Sequence, residues 1–327
     1  MKKILVSVSC TILLIVLIGV GKLFFVAPHV LSSKFDYDRF WLIKTHCSSE
    51  YDIVLIGDSR IKNGLSPLHM ETILENHEIL NFGYNQLLLK EYIINAATSK
   101  FRTGSRQRII VIGVAAGGFS EGKRDGNGLH KEYIEKGRNN YLALKFFGPS
   151  LKMIKFVTDP ISFNDFSRRE GLEGRLIKKY WDNGWMSVRA DDIKEEEVEK
   201  MVQKGILEKQ GTQKISQNSV DNVNKEIKNL VAEGIKVFLI RMPTNSSYEK
   251  FENLYYGFDE SKVRQGMENS GGVWLNVDKA PYSTFDGVHL KQSSAEKLSI
   301  TIARMIKENL ENTQSNTNNK KDLSLIE

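Results

Sequence analysis

The chain has 327 residues, of which 41% are hydrophobic and 26% are charged, a balance that is typical of a globular protein and excludes a disordered one. The 46 lysines and arginines outnumber the 40 acidic residues, which gives a net charge of +6. The basic residues are scattered among acidic ones, so the sequence shows no stripe of the kind that binds nucleic acid.

Residues 1–26 have the pattern of a membrane anchor. Two lysines, Lys2 and Lys3, precede an apolar run from Ile4 to Val20, which resumes after Lys22. Roughly 20 apolar residues cross a bilayer, so the run suffices if Lys22 lies near the far interface. A cleaved signal peptide is the alternative, but no small-x-small cleavage site follows the run. We therefore expect a single-pass signal anchor in the cell membrane, with the rest of the chain extracytoplasmic.

The cysteine and histidine patterns exclude several kinds of site. Cys47 is the only cysteine in the part expected to be exported, so no internal disulfide is predicted there. The six histidines form no paired ligand motif, so we expect no metal. No glycine-rich phosphate loop follows the first predicted strand, and no cofactor is expected.

The first half of the chain alternates between predicted strands and helices. After a polar connector over residues 27–50, strands are predicted at 52–57, 78–82 and 108–113, with helices at 66–76 and 86–101 between them. This order implies right-handed crossovers and a parallel sheet with helices on both faces. The predicted fold class is therefore α/β, a three-layer α/β/α doubly wound sheet.

The alternation stops over residues 115–211, which we interpret as a largely helical insertion, either a substrate lid or a decoration. Aromatic residues in it, Tyr180, Trp181 and Trp185, either stack on sugar rings or pack the insertion against the sheet. The alternation then resumes with a helix at 216–232, strands at 235–240 and 273–277, and a last helix at 293–309. The α/β domain thus spans 51–312, and the Asn-rich tail 313–327 is expected to be disordered.

Two short motifs lie where an open parallel sheet places its reactive groups, beyond the carboxyl ends of the strands. Gly57-Asp58-Ser59-Arg60 follows the first strand, and Asp286-Gly287-Val288-His289 precedes the last helix. A serine becomes nucleophilic when a histidine removes its proton, and a carboxylate orients that histidine. One tight turn brings Asp286 and His289 together. We therefore predict Ser59 as nucleophile, His289 as base and Asp286 as its orienting partner.

In this order the motifs resemble the first and last sequence blocks of the SGNH/GDSL hydrolase family. The stretch from Asn81 to Asn85 is similar to the second block of that family. The resemblance covers most of residues 50–310 and implies a flavodoxin-like sheet, with the amides of Ser59 and Gly83 as donors to the oxyanion.

The third block departs from the family, because residues 113–118 contain no asparagine where the family carries Gly-x-Asn-Asp. Either two donors suffice or another side chain substitutes, and Asn85 is the candidate. Arg60 and Arg241 are candidates for contact with an anionic substrate; a structural role is the alternative for both.

Ser-His-Asp chemistry forms an acyl-enzyme, which water resolves in an esterase and a sugar hydroxyl resolves in an O-acyltransferase. Export and tethering favour acyl esters, above all acetyl esters, of cell-envelope or exported polysaccharide. A transferase needs an acyl donor, usually supplied by a multispanning membrane partner. The alternative is a non-catalytic SGNH-like scaffold of a polysaccharide assembly complex, which the missing asparagine favours and the retained triad opposes.

Overall fold

The computed structural model describes residues 33–105, 107–120, 127–158, 175–190, 192–209 and 214–323, with part of the first 17 residues. Most of the predicted anchor, residues 1–26, lies outside this described part. Among the described residues, no helix is long and apolar enough to cross a bilayer.

The protein is an α/β protein built on a five-stranded parallel sheet. In chain order the strands are β1 (Ile53–Ile56), β2 (Ile79–Asn81), β3 (Ile109–Gly113), β4 (Ile177–Tyr180), β5 (Met186–Arg189), β6 (Lys236–Ile240) and β7 (Val273–Trp274). The central sheet has the order β2-β1-β3-β6-β7, and β4 and β5 form a separate antiparallel hairpin. The chain moves outward from β1 to β2 and then returns to β3, so the strand order reverses between β1 and β3. In doubly wound sheets such a switch point is where ligands bind.

The helices connect these strands and cover the sheet. They are α1 (Ser33–His46), α2 (Ser59–Gly64), α3 (Pro67–Glu71), α4 (Glu91–Thr98), α5 (Gly128–Glu135), α6 (Gly137–Thr158), α7 (Glu195–Lys209), α8 (Gln217–Ala232), α9 (Ser246–Tyr255), α10 (Glu260–Asn269) and α11 (Gln292–Leu323). The five central strands were all predicted, although β7 is shorter than expected. The helix predicted at 66–76 is wrong in its extent, because α3 ends at Glu71, and the short helix α2 was not predicted.

Alternate residues of the central strands contribute side chains to two separate hydrophobic cores. Val54 and Ile56 belong to the core on one face of the sheet, while Ile53 and Leu55 belong to the core on the other face. All four side chains are fully buried. The first core is closed by α1, α4 and α8, and the second by α2, α3 and α11. A sheet buried on both faces explains why β1 and β3 are continuous apolar runs without alternation.

The connector predicted over residues 27–50 is part of the folded domain from residue 33 onward. It forms α1, whose Phe40 and Trp41 are buried in the first core. The sequence did not indicate an amphipathic helix because the polar side chains of Lys44 and Thr45 are buried as well. Residues 27–32 lie outside the described part.

The insertion over residues 115–211 contains a short 3₁₀ helix, α5, α6, the β4–β5 hairpin and α7. The hairpin was not predicted. It is joined to the carboxyl end of β2, since the Asn81 amide donates to the Asn183 carbonyl over 2.9 Å. The Trp185 indole is fully buried and donates to the Asn63 carbonyl, which favours packing over sugar stacking for this residue.

The last helix, α11, continues to Leu323 and so extends beyond the predicted end near Asn309. Most of the tail 313–327, for which disorder was expected from composition, therefore has helical backbone. The last four residues lie outside the described part.

Candidate active site

Ser59 is the first residue of α2 and follows β1 after a sharp turn. The preceding residue, Asp58, caps the helix by accepting a hydrogen bond from the Arg60 amide over 2.9 Å. Gly57 and Gly113 let α2 approach the ends of β1 and β3, because a Cβ at these positions would lie 2.5 and 2.2 Å from Ile61. The two glycines thereby place Ser59 at the switch point of the sheet.

Asp286 and His289 occupy a tight turn before α11. One carboxylate oxygen of Asp286 accepts hydrogen bonds from the amides of Val288 and His289, over 2.9 and 2.8 Å. Gly287 has a φ of +86°, a conformation that favours glycine, and a Cβ there would also collide with Val202 of α7. The turn fixes both side chains on one side of the loop.

The structure brings the three predicted triad residues together. His289 Nε2 lies 2.7 Å from Ser59 Oγ, and His289 Nδ1 lies 2.6 Å from the second carboxylate oxygen of Asp286. These distances are within hydrogen-bond reach for a nucleophile, its base and the group that orients the base. The Phe285 ring stacks on the imidazole with ring centroids 5.7 Å apart, which limits its rotation. All three triad side chains are only partly buried.

The electrostatics of Asp286 suit a carboxylate that supports an imidazolium. Burial acts to raise the pKa of Asp286, but the charge of His289 and the hydrogen bonds from His289 and Val288 outweigh it. The net result is a pKa below the usual value for aspartate. Asp286 therefore stays ionised near neutral pH, which is the state required of a group that stabilises an imidazolium.

Gly83, the predicted second oxyanion donor, lies beside α2 but directs its amide elsewhere. The amide donates to the Asn81 side-chain oxygen over 3.0 Å, and the Gly83 carbonyl accepts from Lys44 Nζ over 2.6 Å. The Asn81 amide group in turn donates to the carbonyls of Ile61 and Leu65. Asn81 thus links β2 to α2 by hydrogen bonds. Because the Gly83 amide donates to Asn81, it is not available to an oxyanion in this arrangement.

Asn85, the predicted substitute donor, lies at the same edge of the sheet and contacts a residue that sequence reasoning missed. Its Oδ1 accepts a hydrogen bond of 2.6 Å from Lys62 Nζ. Lys62 is only 4% exposed, and burial together with Lys178 lowers its pKa to about 7, partly offset by Asp58. A signal was present in the sequence, because a residue three positions after Ser59 in a helix lies on the same face.

Arg60 and Arg241 are both buried and bound to acidic residues. Arg60 donates to Asp58 over 3.0 Å and to both carboxylate oxygens of Glu252, and Arg241 donates to Glu252 and Glu260. Buried charges need such partners, and these link α2 to α9 and α10. The contacts favour the structural alternative for both arginines over contact with a substrate.

No group of three or more metal-ligating side chains occurs within the described ranges. The arrangement of Ser59, His289 and Asp286 is suited to nucleophilic attack on an acyl carbon, with proton transfer through the imidazole. A scan against models of known protein families, a search of curated proteins and a search of solved structures each found no match to this chain.

Proposed function

We propose that this chain is a membrane-anchored, extracytoplasmic serine esterase or O-acyltransferase of the SGNH/GDSL type, acting on acyl esters, above all acetyl esters, of cell-envelope or exported polysaccharide. One observation carries the proposal: the unbroken hydrogen-bonded series from Ser59 Oγ through the His289 ring to the Asp286 carboxylate. Ser59 and His289 are 230 positions apart in sequence, so it is the fold, and not local chain geometry, that brings them together.

The reaction follows from the geometry. As Ser59 Oγ attacks the acyl carbon, His289 Nε2 takes the hydroxyl proton and Asp286 stabilises the imidazolium. The tetrahedral oxyanion lies near the first turn of α2, where the Ser59 amide is a donor. Collapse expels the first alcohol, which takes the proton from His289, and leaves an ester on Ser59. Water or a sugar hydroxyl then attacks this ester by the same steps in reverse, with His289 as base.

Three features support the family and the setting. The strand order, once the β4–β5 hairpin is set aside, is the 2-1-3-4-5 order of flavodoxin-like sheets. Ser59 follows the first strand and the Asp286–His289 turn precedes the last helix, as in the SGNH/GDSL blocks. The apolar run within residues 1–26 supports tethering beside surface polymers, where a multispanning partner supplies acyl groups if the enzyme is a transferase.

A non-catalytic scaffold is the second candidate function. The inward direction of the Gly83 amide favours it, together with the lack of asparagine in residues 113–118, because both remove donors on which the family relies. Such a scaffold keeps the fold and binds polysaccharide without turning it over.

Labelling with a fluorophosphonate distinguishes the two. This reagent phosphonylates a serine only when a neighbouring base activates it. We expect labelling of the full chain in detergent, loss of labelling in Ser59→Ala, and full labelling in the control variant Ser48→Ala, whose exposed hydroxyl donates to Glu50. Equal labelling of wild type and Ser59→Ala, or none in either, contradicts the acyl-transfer proposal and supports the scaffold.

A further inference from the structure

Lys62 is a buried cation one helical turn from the nucleophile. It lies three positions after Ser59 in α2, and its side chain is 4% exposed. Its Nζ donates to Asn85 Oδ1 over 2.6 Å and lies 5.6 Å from the centre of the Trp41 ring. Within the described ranges, no carboxylate lies within ion-pair distance of Lys62.

The charges that face Lys62 make this placement costly. Lys44 approaches from α1 and Lys178 from β4, and both repel it; Asp58, just before α2, is the one acidic group among the described residues that offsets them. Burial and these cations destabilise the charged form. A buried cation without a carboxylate partner weakens the fold, so its presence beside a nucleophile indicates a role in the chemistry.

The chemistry of the lysine fixes the orientation of Asn85. An ammonium group only donates hydrogen bonds, so the carboxamide atom that faces it must be the oxygen. The other end of the carboxamide, Nδ2, is then turned away from Lys62 and is a donor. Asn85 is partly exposed and follows β2 at the same edge of the sheet as Ser59.

Deepening the proposed acyl-transfer function, on which this inference rests, we propose that Lys62 is a positioning residue: its ammonium holds the Asn85 carboxamide so that Nδ2 donates to the oxyanion beside Ser59. Asn85 thereby replaces two donors, the asparagine missing from residues 113–118 and the Gly83 amide that Asn81 occupies. The lysine does not touch the substrate and acts through Asn85.

A pH dependence follows from this arrangement. A neutral amine can accept as well as donate, so loss of the Lys62 proton lets the carboxamide turn over and present Oδ1 to the oxyanion. Two acceptors then face each other and catalysis falls. Since the pKa of Lys62 is lowered to about 7, this loss occurs as the pH rises above neutrality.

A double-mutant cycle on the full chain in detergent tests the proposal, with p-nitrophenyl acetate as the probe. We expect Asn85→Ala to lower kcat by about 10²–10³-fold, as for other oxyanion donors, with KM changed by less than about threefold. Lys62→Met should cause a comparable loss alone and less than about a threefold further loss in the Asn85→Ala background, because the two residues act as a unit.

The pH profile and a matched control complete the experiment. Wild-type kcat should fall above neutral pH, and this limb should be absent from both single variants. Lys100→Met is the control, because Lys100 is also buried but donates to the carbonyls of Thr45 and Cys47, so its profile should keep the wild-type shape. If Lys62→Met does not fold, the pH profile of Asn85→Ala tests the proposal, because the fall in kcat above neutral pH should be absent from that variant.

Multiplicative losses in the cycle, or a basic limb that persists in Asn85→Ala, overturn the positioning role of Lys62 while leaving the acyl-transfer function intact. Failure of that function has a different signature, which is no Ser59-dependent turnover by wild type at any pH. That outcome overturns both proposals.

Discussion

Replacing Lys62 by methionine should stabilise the fold at neutral and acidic pH, although it removes a polar contact. In the folded protein the pKa of Lys62 is lowered from 10.5 to about 7, mainly by burial. At about 1.4 kcal/mol per pH unit, the charged lysine penalises the folded state by up to about 5 kcal/mol. Methionine fills a similar volume without charge, so most of this penalty should disappear.

The sign of the pH dependence makes the effect specific. Because the folded pKa lies below the unfolded value, the penalty is complete below about pH 7 and is relieved as the pH rises toward 10.5. The advantage of Lys62→Met over wild type should therefore shrink by about 2–3 kcal/mol between pH 6 and pH 9. Taking the difference in the free energy of unfolding between wild type and Lys62→Met cancels the contribution of every group that titrates in both.

The measurement is the free energy of unfolding from urea titrations of the full chain in detergent, followed by tryptophan fluorescence at both pH values. A difference between wild type and Lys62→Met that is the same at pH 6 and pH 9, or a methionine variant that is less stable at pH 6, refutes the view that Lys62 is an uncompensated buried cation.

Three further substitutions probe the rest of the site. Asp286→Asn should lower kcat by about 10³–10⁴-fold in ester hydrolysis assays, because the imidazole loses its orienting charge, and a loss under tenfold contradicts this. Gly83→Ala places a Cβ 2.6 Å from the Lys62 amide, so urea titration should show a loss of about 1–3 kcal/mol; an unchanged stability means that α2 can shift. Arg60→Met leaves Glu252 with Arg241 as its remaining guanidinium partner and should cost about 3 kcal/mol of stability while the KM for anionic and neutral esters stays the same. A KM increase confined to anionic esters assigns Arg60 to substrate binding instead.

The residues Ser59, Asp286 and His289 could be predicted from the sequence because the topology of the sheet determines where they lie. A Gly-Asp-Ser motif directly after the first buried strand and an Asp-x-x-His before the last helix are expected at one edge of a parallel sheet, independent of the intervening chain. The central strands could be predicted because β1 and β3 are continuous apolar runs, and β6 is apolar after Lys236, as is typical of strands in a sheet that is covered on both faces.

The donors proposed for the oxyanion could not be predicted from the sequence, because the direction of a hydrogen bond depends on which partners compete for it. Gly83 lies where the family block implies, but the Asn81 side chain captures its amide, and no sequence pattern distinguishes an inward from an outward N–H. Lys62 was not predicted because a lysine on a helix is usually solvated. Trp41, whose ring lies 5.6 Å from Lys62 Nζ, belongs to a segment that was predicted as a connector.

The hairpin within residues 115–211 could not be predicted from the sequence. The β4–β5 hairpin has an exposed first strand, Ile177–Tyr180, and a buried second strand, Met186–Arg189, so neither shows a clean alternation. Tertiary contacts hold it, above all the burial of Trp185 against the end of α2, and these link residues more than a hundred positions apart.

The most direct test of the central claim is to observe the covalent intermediate. After a brief reaction with p-nitrophenyl acetate and an acid quench, mass spectrometry of the digested full chain should find one acetyl group on the peptide that contains Ser59. The same modification should be missing from Ser59→Ala and strongly reduced in His289→Ala. Acetylation that is confined to other residues, or that is equal in wild type and His289→Ala, contradicts an acyl-enzyme formed by Ser59, His289 and Asp286.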